Sequence, residues 1–180
     1  QIIVTYSDQI SFPIHLNDEG KNEGEVVNAV TALWQKSPKD VSQKDYEEFY
    51  NHIAHTSDSP WLTIHNKIEG SIEYTNLLFI PDSKPFDLFQ PDRKAKIKLY
   101  INRVFISEED NNLLPSYLRF VRGIVDSSDL PLNISRETLQ NNQVIKKIKN
   151  SLVKKVLHSL KNKAEKDPSE HNKFLENFGD

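Results

Sequence analysis

Apolar positions recur with two different periods along the chain, and the two periods predict different elements. Residues 10–16 alternate apolar and polar side chains, which predicts a strand. Pro13 inside this run favours an edge strand, because proline cannot donate a ladder hydrogen bond. The polar stretch 17–24 then predicts a hairpin-type connection. Between 42 and 54 the apolar side chains fall at helical spacing, and Ser42 with an aspartate three residues later resembles a capping box, so a helix is predicted.

From 61 to 106 the period of two dominates. Two β-rich segments joined at Glu69–Gly70 predict an antiparallel hairpin. Alternating residues from Ile97 to Asn102, followed by the apolar run Val104–Ile106, predict another strand. Pro115 is typical of a first helical turn and predicts a short helix that ends at Phe120, and residues 121–125 predict a further strand. Because strands and helices interleave, we expect an α/β or α+β layer structure.

After Pro131 the pattern predicts a long amphipathic helix. Apolar residues recur every four positions from Val144 to Ala164, and three more flank them, namely Ile145, Val153 and Leu157, so one wide apolar stripe is expected. Asp167–Pro168 predicts the start of a short last helix. Its apolar face is expected to consist of Phe174, Leu175 and Phe178.

Composition narrows the possible classes of protein. The chain has 180 residues, a net charge of −3, 37% hydrophobic and 9% aromatic residues, which indicates a folded chain with room for one ordinary domain or one domain with a helical appendage. No apolar run reaches the ~18 residues of a membrane span. Cysteine is absent, which excludes disulfides and thiol catalysis and fits a cytosolic protein. Because the chain starts with Gln1 and stops just after a predicted helix, we expect a segment of a longer protein.

Most motifs for small-molecule chemistry are missing. Neither of the glycine-rich phosphate-binding motifs, GxGxxG and GxxxxGK(S/T), occurs in the sequence, and the GxSxG nucleophile elbow is also absent. His52, His55 and the later His65 are candidate imidazole ligands, and His52 and His55 can share a helical face. No acidic third ligand follows at a motif spacing, so no metal site is predicted. The paired carboxylates Asp126 and Asp129 are flanked by Ser and Pro, which indicates turn chemistry.

Seven lysines and no acidic residue lie between 141 and 163. Such a cluster can neutralise phosphates, which is the basis of a nucleic-acid-binding alternative. The lysines lie opposite a continuous apolar stripe and lack interleaved aromatics, so the solvated face of a docked helix is favoured.

One polar segment, 129–140, lies between a predicted strand and the long helix. Arg136 and Gln140 are four residues apart on the first predicted helical turns, so both side chains can point at one spot, and Asn133 precedes them. An arginine fork at a helix start suits an anion or a phosphate. A capped helix whose Arg136 pairs with Glu137 is equally compatible with the spacing.

At this segment the sequence closely resembles a known family. Residues 117–142, YLRFVRGIVDSSDLPLNISRETLQNN, are similar to the catalytic-loop segment of the middle domain of heat shock protein 90 chaperones, with the bacterial form nearest. The similarity continues upstream in family order through four further blocks: 33–50, 65–70, 77–89 and 97–106. It therefore covers about residues 30 to 180, and a match in several blocks is highly specific.

The resemblance implies an αβα layered domain with a mixed sheet, of the ribosomal-protein-S-five-domain-two-like kind, followed by a long amphipathic helix and a short C-terminal helix. It implies that residues 1–28 form the junction from a nucleotide-binding domain and a first strand. Residues 29–134 would then form the αβα core of the middle domain. Residues 135–180 would form the catalytic-loop helix and the helical connector.

The resemblance also implies a function. Arg136 would reach the γ-phosphate of ATP held with Mg in an N-terminal domain, Gln140 would support that loop, and Asn133 and Ser135 would shape it. Phe105 resembles an apolar position near the domain contact. The fragment alone, without the ATP pocket, should bind no cofactor and be inactive.

The partners implied are the N-terminal nucleotide-binding and C-terminal dimerisation domains of the same chain, unfolded or partly folded clients, and a second full-length copy in a cytoplasmic, stress-responsive homodimer. No nucleic acid or membrane partner is expected. The alternative is a passive protein-interaction module, in which Trp34, Trp61, Phe86 and Phe89 are exposed anchors and Arg136 only caps a helix. Burial of these aromatics in the core is favoured over exposure.

Overall fold

The structure, a computed structural model, describes residues 14–16, 25–26, 32–86, 88–90, 94–108, 112–131, 139 and 142–179. Within these ranges the elements are β1 (His15–Leu16), β2 (Glu25–Val26), α1 (Gln43–Ala54), β3 (Pro60–Ile68), β4 (Tyr74–Pro81), β5 (Lys96–Ile101), β6 (Val104–Ser107), β7 (Arg122–Ser127), α2 (Gln143–Lys166) and α3 (Pro168–Phe178). Three short 3-10 turns cover Leu33–Gln35, Pro38–Asp40 and Ser116–Leu118.

A mixed sheet of five strands forms the centre, in the order β3-β4-β7-β5-β6. Only β5 and β7 run parallel, and the other neighbours are antiparallel. The β3–β4 pairing confirms the hairpin that was predicted at Glu69–Gly70. Strands β1 and β2 form a separate antiparallel pair on either side of the polar stretch 17–24, as the hairpin prediction requires. Pro13 lies outside the described residues.

Helix α1 begins where the capping signal predicts. The Ser42 hydroxyl accepts a hydrogen bond from Asp45 N at 3.2 Å, and Ser42 N donates to the Asp45 carboxylate at 3.0 Å, so the capping box is complete. The helix ends at His55, whose positive φ of 53° places it in the left-handed conformation that closes many helices.

The two faces of the sheet carry different helices. Successive residues of a strand point to opposite faces, and all eight residues of β4 are buried. Leu77 and Phe79 pack with α1, whereas Leu78 and Ile80 pack with α2. The layers are therefore α, β and α, which confirms the predicted fold class.

Helix α2 is confirmed, but its buried stripe is narrower than predicted. Residues every four positions advance 400° around a helix and so drift by about 40° at each step. Four positions are buried, Ile145, Ile148, Leu152 and Val156. Leu157, expected beside the stripe, is 46% exposed.

The single strand predicted between Ile97 and Ile106 is in fact two. Asn102 and Arg103 both have positive φ, 49° and 66°, as a type I′ hairpin turn requires. They separate β5 from β6, which pair antiparallel. Glycine usually occupies the second of these positions, so the turn lacked its ordinary sequence signal.

Strand β7 lies between β4 and β5, and its contact with β4 is close at Gly123. This residue has φ 143°, and a Cβ placed on it would lie 2.2 Å from Leu77 O. Because backbone atoms surround the position, only glycine fits it.

Helix α3 docks on the sheet through aromatic rings. Phe174 is buried and stacks on Trp61 with 4.7 Å between ring centroids, while Phe178 contacts Phe120 at 5.0 Å. Leu175, predicted on the same face, is 47% exposed instead. None of the helices in the described ranges combines the length and the apolar character that crossing a membrane needs.

Candidate functional site

The predicted catalytic residues lie outside the described residues. This holds for Arg136 and Gln140, and equally for Asn133 and Ser135. The choice between an anion-reading arginine and a helix cap therefore stays open on geometry. The described residues on both sides of the segment nevertheless define where it starts and ends.

Both flanks of this segment are fixed in the core. Leu130 is 3% exposed and Leu139 is fully buried, and both belong to the cluster between the sheet and α2. Asn142 then caps α2, because its side-chain oxygen accepts from Val144 N at 2.7 Å and from Ile145 N at 3.3 Å. The chain thus enters and leaves residues 132–138 at positions held by packing and by a cap.

The turn after β7 is also held by hydrogen bonds. The Ser127 hydroxyl donates to Glu73 O at 2.9 Å, and the Asp129 carboxylate accepts from Glu73 N at 2.6 Å. Asp129 N donates back to the Ser127 hydroxyl at 3.3 Å. Asp129 therefore stabilises the turn through hydrogen bonds, as its sequence context predicts.

The end of β7 meets the β5–β6 turn at one end of the sheet, since Ser127 is in register with Ile101 on the parallel neighbour β5. A polar cavity of about 250 Å³ lies at this end. Its lining combines two cations, three carboxylates, several neutral polar groups and one apolar residue: Gln35, Lys67, Ile68, Glu69, Glu73, Tyr74, Thr75, Asn102, Arg103, Asp126 and Ser128.

Asp126 links three parts of the chain at the floor of this cavity. Its side chain is only 4% exposed, and one oxygen accepts from Trp34 Nε1 and Gln35 Nε2, both at 2.9 Å. The other oxygen accepts from Arg103 N at 3.2 Å. The turn role predicted for Asp126 is wrong, because the residue lies within β7. An acid inside the apolar run GIVDS was the available signal of a buried, hydrogen-bonded carboxylate.

Phe105 is half-buried on β6, at the edge of the sheet. Its ring meets Tyr100 edge-on at 5.7 Å, and Tyr100 lies 4.9 Å from Trp34. The rings connect the β5–β6 hairpin to the segment before α1. The inter-domain contact expected of Phe105 stays a prediction.

The ring of His65 is held by contacts within the fold. His65 Nδ1 lies 2.8 Å from the Tyr46 hydroxyl, and His65 Nε2 lies 3.0 Å from Trp34 O. The Trp34 carbonyl oxygen can only accept, so Nε2 carries a hydrogen and donates to it. In that tautomer Nδ1 accepts from the Tyr46 hydroxyl, whose pKa is raised by burial. Among the described residues, no three His, Asp or Glu side chains are grouped as metal ligands.

The four aromatic candidates have different environments. Trp34 is 1% exposed and belongs to the core, and Trp61 is partly buried against Phe174. Phe86 is 98% exposed and Phe89 is 42% exposed, after the end of β4. Burial in the core, the favoured alternative, thus describes Trp34 but not the two phenylalanines.

The lysines of α2 lie away from its buried stripe. Lys146, Lys147, Lys154 and Lys161 are exposed, while Lys149 donates to the Asn112 side chain at 3.0 Å. This is the arrangement expected of a docked helix with a solvated face.

Comparison with known proteins assigns a family. A model of the family described as Hsp90 protein matches residues 16–180. Chaperone protein HtpG of Rickettsia bellii (strain OSU 85-389) is 56% identical over 178 residues, which are 99% of this chain and 29% of that relative. HtpG of Rickettsia canadensis (strain McKiel) matches to the same extent, and HtpG of Anaplasma phagocytophilum (strain HZ) is 55% identical over 178 residues, 99% of this chain and 28% of the relative. The chain therefore spans less than a third of the length of these curated relatives.

Proposed function

The chain belongs to the Hsp90 family of chaperones, and from this premise we propose that it is the middle part of such a chaperone. A nucleotide-binding domain would precede it and a dimerisation domain would follow it in a cytoplasmic homodimer. The boundaries at residues 28 and 134 are part of this proposal. The chain covers 29% of the length of the Rickettsia bellii relative, which supports its being one part of a longer chaperone.

The catalytic contribution that we propose for this segment is the positive charge of Arg136, held in place by its neighbours in the loop. Mg-ATP would be held by the preceding domain, and Arg136 would reach its γ-phosphate. A guanidinium in that position stabilises the negative charge that develops on a transferring phosphoryl group. Gln140 would hold the loop, and Asn133 and Ser135 would shape it. The chain by itself would not hydrolyse ATP.

One observation carries this proposal. The segment that contains Arg136 is bounded by Leu130 and Leu139, and both are buried in the same cluster. A residue that must present one charge to another domain needs such a rigid base, because catalysis by positioning tolerates little displacement.

Arg136→Ala in the full-length protein is the direct test. We expect nucleotide binding to be retained and ATP turnover to fall by roughly 10³-fold, the loss typical of a missing trans-acting arginine. Steady-state ATPase rates and nucleotide titration measure the two quantities separately.

Lys154→Ala is the matched control, since it removes an exposed cation from α2 and should leave turnover unchanged. Turnover that survives Arg136→Ala would remove the catalytic role and leave a passive interaction module, the alternative function. Equal losses in both variants would point to a general effect of charge.

The second part of the proposal is a surface for unfolded clients around Phe86 and Phe89. A phenylalanine that is 98% exposed is costly to keep in water, and exposed aromatic groups mark interaction sites. Phe86→Ser should weaken the binding of a denatured client to the full-length protein. A labelled client is the better reporter, because both tryptophans are packed in the fold. Binding that is unaffected by this change would exclude the surface.

A further inference from the structure

A second cavity lies at the end of the sheet opposite to Asp126. Its volume is about 520 Å³, and it lies among the end of α1, the end of β4 and the first residues of β5 and β7. Along β7, Arg122 of this cavity and Asp126 of the first cavity are about 13 Å apart, the rise of four extended residues. The lining is Tyr50, Ala54, His55, Thr56, Asp58, Pro81, Ser83, Lys84, Pro85, Phe86, Lys96 and Arg122.

Positive charge exceeds negative charge in this lining. It contains Lys84, Lys96 and Arg122, against one carboxylate, Asp58. That carboxylate accepts a hydrogen bond from the neighbouring Thr56 hydroxyl. Asp82 is not a lining residue, although its negative charge contributes to the raised pKa of Tyr50. The described lining therefore has an excess of two positive charges.

Two of these cations are direct neighbours in the sheet. Lys96 and Arg122 are the first residues of parallel strands and are in register with each other. Like charges in register on neighbouring strands repel, so such a pair is unfavourable unless an anion lies between them. Arg122 Nη1 also donates to Ala54 O at 3.4 Å, and this contact holds the guanidinium at the cavity wall.

Apolar groups border the same charges. Phe86 lines the cavity and is 98% exposed. Lys84 lies 4.1 Å from the ring centroid of Phe89, and Arg119 lies 5.6 Å from it on the same ring. Aromatic and cationic side chains thus alternate across one surface. We call the part formed by Lys84, Phe86, Lys96 and Arg122 the Phe86 groove.

We propose that the Phe86 groove selects client segments in which Asp or Glu residues flank apolar side chains. An apolar side chain of the client would cover Phe86, and a neighbouring carboxylate would lie between Lys96 and Arg122. The Tyr50 hydroxyl stays neutral because burial raises its pKa to about 12, so it would not repel that carboxylate. This inference rests on the proposed client surface and adds the chemistry of the client to it.

Two unstructured peptides test the selection. Both carry the same apolar core, flanked by Asp and Glu in one peptide and by Lys in the other, and each bears a fluorophore for anisotropy with the full-length protein. We expect the acidic peptide to bind more tightly, and its affinity to fall as salt is raised because the charges are near the surface.

Three variants separate charge from apolar contact. Lys96→Glu should weaken the acidic peptide by about tenfold, since it reverses one unit charge near the bound carboxylate, and should not weaken the basic peptide. Phe86→Ser should weaken both peptides by roughly tenfold. Lys154→Glu reverses an exposed lysine of α2, on the other face of the sheet, and should change neither affinity.

The outcomes distinguish this inference from the proposed function. If both peptides bind equally and Lys96→Glu has no effect, the acidic selection is overturned while the client surface stands. If neither peptide nor a denatured client binds, the client surface itself fails. If Lys154→Glu matches Lys96→Glu, net charge rather than the groove governs binding, and the inference is overturned.

Discussion

Replacing Asp126 with asparagine removes one acceptor oxygen from the most connected carboxylate described in the fold. Both oxygens of Asp126 are used, one by Trp34 and Gln35 and the other by Arg103 N. An asparagine side chain offers one oxygen and one NH₂ group. In either orientation the NH₂ group therefore faces at least one N–H donor.

The magnitude follows from the better of the two orientations. With the amide oxygen toward Trp34 and Gln35, the Arg103 N–H loses its partner, which costs about 1 kcal/mol where water can still reach it. The two remaining bonds lose their charge assistance, about 1 kcal/mol each. The neutral amide recovers part of the cost of burying a carboxylate, about 1 kcal/mol. We expect the free energy of unfolding to fall by about 2 kcal/mol.

Urea unfolding followed by circular dichroism measures this change, and Asp40→Asn at an exposed turn is the control, expected within about 0.5 kcal/mol of the parent. Trp34→Phe removes the indole donor, so a double-mutant cycle with Asp126→Asn should give a coupling of about 1 kcal/mol. An Asp126→Asn protein as stable as the parent, or a coupling near zero, would refute the assigned hydrogen bonds.

Three further changes test the fold. Gly123→Ala should lower the free energy of unfolding by about 4 kcal/mol or more, because its Cβ would lie 2.2 Å from Leu77 O. The control Gly70→Ala, whose Cβ would have nothing within 4 Å, should stay within about 1 kcal/mol of the parent. Equal losses of stability in thermal unfolding of the two variants would contradict the close approach at Gly123. Ser42→Ala should cost about 1 kcal/mol by removing the cap of α1. The Ser42 hydrogen bonds hold the pKa of Asp45 below its ordinary value of 3.8, so the stability that Asp45 contributes is present above that value and is lost as pH falls through the lowered pKa. The stability difference between the parent and Asp45→Asn should therefore shrink in acid, and a difference that does not change with pH would argue against the capping box.

Local signals predicted the elements that depend on near neighbours. The whole of α1 is contained in thirteen residues, with its cap at Ser42 and its apolar face at helical spacing, so no distant contact was needed. The β3–β4 hairpin is equally local. The β5–β6 turn was not predicted, because Asn102 and Arg103 adopt positive φ without the glycine that usually marks such a turn.

The apolar neighbours of Asp126 could indicate its burial, but not its hydrogen-bond partners. Its side-chain partner Trp34 is 92 residues away, and only the sheet brings the two together. The exposure of Phe86 and the position of Lys96 beside Arg122 depend in the same way on strand order. Arg136 and Gln140 are the opposite case, because a local motif predicts them. They lie outside the described residues, so their role stays a prediction.

The place of β7 in the sheet has a consequence for synthesis on the ribosome. The β3–β4 and β5–β6 hairpins emerge first, yet β7 is the strand that joins them. Until residues 122–127 have left the exit tunnel, β4 and β5 each present an unpaired, largely apolar edge, which is the kind of surface that aggregates. A nascent chain of this design would itself need protection against aggregation. In pulse proteolysis of ribosome-stalled chains, resistance to the protease should appear only once β7 has left the exit tunnel.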